Sequence, residues 1–262
     1  MHALGKCFLA LYLAHLLTAF VFQADRVEAR KKARAGLGYA EYGGIHFLAA
    51  VLLAGFALPE FVQSLSLYGV IVGLTLVHLG IDWVKLRLVR SNAIEDGATA
   101  FFADQILHGL TVCIAAWLIV KTPIRDLLVN LRWLQSQGEK ILLLVVVYVG
   151  VVFGGGYAVR LLTKPLLRGD LYLPGETNDE LQNAGMYIGR LERFLVLTAL
   201  LLQSPATVGL ILTAKSIARY PELKSVRFAE YFLIGTLLSI SAAILGGLIL
   251  LKAFYGTVIL SK

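Results

Sequence analysis

The sequence predicts an all-α fold: a polytopic integral membrane helical bundle of about seven hydrophobic segments, the sixth kinked or re-entrant. Three observations carry this. Of 262 residues, 58% are hydrophobic and only 16% charged, against about 25% charged in soluble domains. The apolar residues are bunched into runs close to the ~20 residues that a helix needs to cross ~30 Å of hydrocarbon. The basic residues, which give a net charge of +7, gather in short segments between those runs, the distribution that orients membrane proteins. That placement gives no nucleic-acid footprint. Cys7 and Cys113 lie inside apolar runs, so no disulfide framework is expected.

The segments follow in order. Residues 4–22 read as a span rather than a cleaved signal peptide, because "AFVFQAD" lacks the small residue that cleavage needs at the −3 position. Residues 43–58 are a short second span ending at Pro59. Residues 65–84, 99–120 and 141–159 are the third to fifth. The sixth, 192–213, carries Gln203, Ser204 and Pro205 at its middle. Proline removes a backbone donor, so this segment is either a kinked span or two half-helices folded back as a hairpin. Residues 228–251 are the last.

Charge orients these segments. Arg26, Arg30, Lys31, Lys32 and Arg34 fill the first loop, Lys85, Arg87 and Arg90 follow the third span, and Arg160, Lys164, Arg168 and Arg190 follow the fifth. Alternation puts all three on one side, which makes that side cytoplasmic and the N-terminus external. Residues 121–140 carry four basic residues on the other side, where "IRDLLVNLRWLQ" reads as an interfacial amphipathic helix. Lys215, Arg219, Lys224 and Arg227 return to the cytoplasm only if the sixth segment is a hairpin, which the reading therefore favours. Gly150 and Gly154 form a GxxxG pair suited to close helix packing. No internal repeat of the transporter kind is present. The chain divides into a four-helix half, 1–120, and a C-terminal half, 121–262.

Polar residues single out the first half. "TAFFADQILHGL", residues 99–110, sets Asp104, Gln105 and His108 at the head of a membrane segment, where a carboxylate has no cheap place. His15, His46, His78 and Asp82 lie in the three preceding spans. His78/Asp82 and Asp104/His108 are i, i+4 pairs, each on one helix face one turn apart. Because successive spans alternate in direction, all these residues fall within roughly 5–14 Å of the same face at ~1.5 Å per residue. Each alone is most simply an interhelical hydrogen bond; the shared layer points to a polar site. Imidazole with carboxylate suits a divalent metal, Zn²⁺ first, with Mn²⁺ or Fe²⁺ as alternatives. The expected ligands are His15, His46, His78, Asp104 and His108, with Asp82 as ligand or base and Gln105 as a further catalytic residue. Glu192, Arg193, Lys215, Arg219 and Glu230 border the later spans. They read first as interfacial ion pairs; the functional alternative is that Lys215 and Arg219, like Lys85, hold an anionic lipid headgroup.

"AHLLTAFVFQ" (14–23), "GIHFL" (44–48), "LVHLGIDWVK" (76–85) and "FFADQILH" (101–108) resemble the motifs of a bacterial membrane family known as a domain of unknown function, number 3307. "IGRLERFL" (188–195), "AKSIARY" (214–220) and "FAEYFLIGTLLS" (228–239) look similar to it as well. The resemblance marks His15, Gln23, His46, His78, Asp82, Lys85, Asp104, Gln105 and His108. The family's first motif has an Asp four residues after its His; here that position is Ala19. More loosely, the chain resembles membrane-bound metal-dependent hydrolases.

These residues imply an intramembrane metal-dependent hydrolase acting on a lipid or another membrane-embedded substrate, in a bacterial inner membrane. The alternatives are a metal-ion or proton transporter and a non-catalytic membrane partner; a homo-oligomer is compatible with all three. Transport needs polar groups at several depths, whereas a hydrolase needs one layer open to one side. The far halves of the first four spans hold few polar groups, which favours the hydrolase.

Overall fold

The computed structural model describes residues 2–22, 35–122, 137–167 and 184–256. Among them every regular element is helical. In chain order these are α1 (His2–Leu16, prolonged by a π turn, Leu17–Val21), α2 (Ala35–Ala57), α3 (Leu65–Arg90), α4 (Ala98–Val120), α5 (Gln137–Val149), α6 (Gly155–Thr163), α7 (Ala184–Leu201), α8 (Pro205–Ala218) and α9 (Val226–Tyr255). A second π turn, Gly150–Gly154, joins α5 to α6. Among the described residues six helical stretches are long and apolar enough to cross a membrane: Ala3–Val21, Gly38–Ala57, Leu65–Arg90, Ala98–Val120, Gln137–Leu166 and Val226–Tyr255. The expected basic loop residues 26–34, Gln23 and the interfacial helix over 124–135 lie outside the described residues.

The chain forms two compact units, Met1–Val146 and Val147–Lys262. The boundary between them falls inside the fifth membrane stretch.

In the first unit, α2 to α4 each bury one stripe, while α1 is buried on most of its faces, with Leu9, Ala10, Leu11, Leu13, Ala14 and Leu16 all enclosed. On α3 the buried positions are Leu67, Ile71, Leu74, Thr75 and His78, steps of three and four that keep to one helix face. On α4 they include Phe101, Asp104, His108, Val112 and Ala115. Leu76, Ile106, Leu110 and Ile114 on the opposite faces are exposed. Apolar outer faces around a core containing charged residues suit a lipid solvent and not water. The second helix begins well before residue 43 and runs through the glycine-rich stretch "GLGYAEYGG". Glycine there allows close approach: a Cβ on Gly43 would come within 2.8 Å of Leu79 Cδ1 on α3.

In the second unit the sixth segment is broken. The backbone turns at Gln203, whose φ is +56°, and Pro205 opens α8 at the position where its missing N–H costs nothing. Lys215 Nζ then meets Glu192 Oε2 at 2.7 Å. A continuous helix would hold residues 23 apart in sequence some ~34 Å from each other. The segment is a helical hairpin.

Candidate metal centre

The four spans of the first unit bring their polar residues into one layer. His15 comes from the end of α1, His46 from the middle of α2, His78 and Asp82 from the second half of α3, and Asp104, Gln105 and His108 from the first half of α4. Below that layer the same stripes are apolar, with Cys7, Leu11, Ala50, Ile71, Val112 and Ala116 packed in one cluster. The polar groups thus share one end of a bundle whose other end is hydrocarbon.

All four imidazoles are buried, none more than 2% exposed. Ring centroids lie 4.2 Å apart for His78 and His108, 4.3 Å for His46 and His78, and 4.7 Å for His15 and His108. Asp104 is buried, while Asp82 and Lys85 are 17% and 26% exposed. The layer is sealed on the histidine side and opens at the acidic rim.

Hydrogen bonds fix how several groups are turned. Gln105 Nε2 donates to Asp104 Oδ2 at 3.1 Å. This leaves Gln105 Oε1 to accept from His15 Nε2 at 3.3 Å, so His15 Nδ1 carries a bare lone pair. That atom is buried and has no hydrogen-bond partner. His46 Nδ1 meets Thr75 Oγ1 at 3.2 Å. His78 uses both nitrogens: Nδ1 lies 3.0 Å from His108 Nδ1, and Nε2 lies 3.0 Å from the Tyr42 hydroxyl.

Two further buried atoms lack a hydrogen-bond partner, His108 Nε2 and Asp104 Oδ1. They face each other at 3.6 Å, and His108 Nε2 stands 3.4 Å from Asp82 Oδ1. These gaps are long for hydrogen bonds. Donors held ~2.0–2.2 Å from one tetrahedral ion stand roughly 3.3–3.6 Å apart. His78, Asp82 and His108 each offer a ligand atom within 4.8 Å of the others, and so do His15, His46 and His78.

Every expected ligand of the first unit is therefore in the layer. Gln105 bridges His15 and Asp104. Lys85 Nζ pairs with Asp104 Oδ2 at 3.4 Å. Lys215 and Arg219, in the second unit, pair with Glu192 at 2.7 Å and Glu222 at 3.3 Å. Ala19 lies in the π turn after His15, and the acids of the site come from α3 and α4. Tyr42 and Thr75 were not singled out by the sequence. Their signals were the spacings Tyr42-x-x-x-His46 and Thr75-x-x-His78, which put each on the face of its histidine.

An apolar-surfaced helical bundle with ionisable residues at its core is a polytopic integral membrane protein with an intramembrane polar centre. Residues 7–135 match the family model described as "Protein of unknown function (DUF3307)", and the match contains the whole centre. The motifs at 14–23, 44–48, 76–85 and 101–108 fall inside it; those at 188–195, 214–220 and 228–239 fall outside. No curated protein and no solved structure matches the chain, so the likeness to metal-dependent hydrolases rests on the residues alone.

Proposed function

We propose that the first unit is an intramembrane metal-dependent hydrolase that acts on a lipid or another membrane-embedded substrate, in a bacterial inner membrane near its cytoplasmic face. One observation carries the reading. His108 Nε2 and Asp104 Oδ1 are buried and lack hydrogen-bond partners, and His108 Nε2 stands 3.4 Å from Asp82 Oδ1 and 3.6 Å from Asp104 Oδ1, the separation of two donors on one ion. Asp82, Asp104 and His108 would hold a divalent cation, Zn²⁺ first, with Mn²⁺ or Fe²⁺ as alternatives. Such an ion lowers the pKa of bound water to ~7 and provides hydroxide for attack on an ester or phosphate. Asp82 is the acid nearest the rim, where substrate would enter, and Lys85 beside it offers a charge to an anionic headgroup. Gln105 supports the site by orienting His15 and Asp104.

A single polar layer above an apolar bundle core favours this over ion transport, which requires polar groups through the depth of the bilayer. The test is to incubate detergent-purified, Zn²⁺- or Mn²⁺-loaded protein with a total membrane lipid extract and follow it by mass spectrometry. A lipid class should be cleaved by the wild type and spared by Asp82→Asn. If no lipid changes, while proteoliposomes pass Zn²⁺ or protons in a His108-dependent way, the transporter reading replaces this one.

A further inference from the structure

We propose that Tyr42 and His78 form an orienting chain behind His108, and that His78 is a positioning residue and not a metal ligand. This rests on the metal reading above and adds to it the division of labour among the histidines. Both nitrogens of His78 are engaged, Nδ1 with His108 Nδ1 and Nε2 with the Tyr42 hydroxyl, each at 3.0 Å. Neither is among the buried atoms that lack a partner. The one such nitrogen on His108 is Nε2, on the side of the two carboxylates.

Proton positions follow from those contacts. When His108 gives its Nε2 lone pair to a cation, its other nitrogen is protonated and Nδ1–H points at His78. His78 Nδ1 accepts, which places the His78 proton on Nε2, directed at the Tyr42 oxygen. Each link has one donor and one acceptor, and every proton is accounted for. A metal-bound histidine commonly donates its second nitrogen to such a partner, which fixes its tautomer and ring angle and strengthens it as a ligand. Here the first partner is a second imidazole and the next a phenol. The helices supply the geometry: Tyr42 lies one turn before His46 on α2, whose close passage over α3 is allowed by Gly43 against Leu79. His46 stacks on His78 with planes 10° apart, holding that ring in place.

The test uses full-length detergent-purified protein and Mn²⁺ alone as the probe. Affinity is read by titration, and the number of coordinated imidazole nitrogens by pulsed electron paramagnetic resonance. The wild type should bind with His108 as its coordinated imidazole from this pair. Tyr42→Phe, which keeps the ring and removes the hydroxyl, should weaken Mn²⁺ by about 10–100-fold with the imidazole count unchanged. His78→Gln should still take up Mn²⁺ at saturating concentration with that same count. A purely structural Tyr42 would lower the melting temperature and leave affinity intact, which would overturn the chain. So would loss of one coordinated imidazole in His78→Gln, because His78 would then be a ligand. Absence of Mn²⁺, Zn²⁺ and Fe²⁺ binding by the wild type would remove the metal reading itself; binding with unchanged affinity in Tyr42→Phe removes only the chain.

Discussion

Arg193 shows at the scale of one residue how this protein tolerates charge among apolar helices. It is 5% exposed on α7. Its Nε and Nη2 donate to the Val152 carbonyl at 3.2 and 2.8 Å, and its Nη1 donates to Ser239 Oγ at 3.1 Å. Val152 lies in the π turn Gly150–Gly154, where the wider helical ring leaves a carbonyl in need of a donor. Glycines make the room: a Cβ on Gly156 would overlap Arg193 Nη2. Arg193→Leu should destabilise the protein by about 1–3 kcal/mol through its orphaned acceptors, and Gly156→Ala by about 1–3 kcal/mol through overpacking. Circular-dichroism unfolding in detergent measures both, and wild-type stability in either variant would contradict this role. Residues of this kind were unequally legible. His15, His78, Asp82, Asp104 and His108 stood out because ionisable groups are rare in apolar runs. Tyr42 did not, because it falls just before the second span as drawn from residue 43, while the helix starts at Ala35. Gln105 was visible as polar, but its role depends on which side chains meet its two ends.

Elements were legible in proportion to their apolar length. The spans expected at 65–84 and 99–120 are α3 and α4, Leu65–Arg90 and Ala98–Val120. The end of α3 extends to Arg90 because Arg87 and Arg90 suit the last turn of a helix at the membrane surface. The second span was drawn too short because glycines that weaken a helix in water serve close packing between helices in lipid. The sixth segment left two readings open, since a proline kinks a helix or starts a new one with the same residues. Gln203 in the left-handed region and the Glu192–Lys215 contact decide for the hairpin. That pair is partly buried, 14% and 20% exposed, so it should couple the two arms by roughly 0.5–3 kcal/mol. Stability of Glu192→Gln, Lys215→Met and the double variant measures it. Additive losses would mean that the arms are held by packing alone.

The whole molecule is two compact helical units, and among the described residues the histidine–carboxylate centre lies in the unit that the family match covers. Helix direction alone predicted the shared layer: four antiparallel spans, each with its polar residues near the same end, cannot avoid bringing them together. The sequence could not show that the layer is sealed by four imidazoles and open at Asp82 and Lys85, nor which nitrogens face inward, because both depend on helix rotation. The central claim is that the acidic rim holds one divalent ion through Asp82, Asp104 and His108. Elemental analysis of detergent-purified wild type beside His108→Ala tests it most directly. The account predicts about one equivalent of a divalent transition metal per chain in the wild type, and its loss in a variant that keeps its helical signal and melting transition. Equal metal in both proteins, or none in the wild type after Zn²⁺, Mn²⁺ and Fe²⁺ are each supplied, would contradict it.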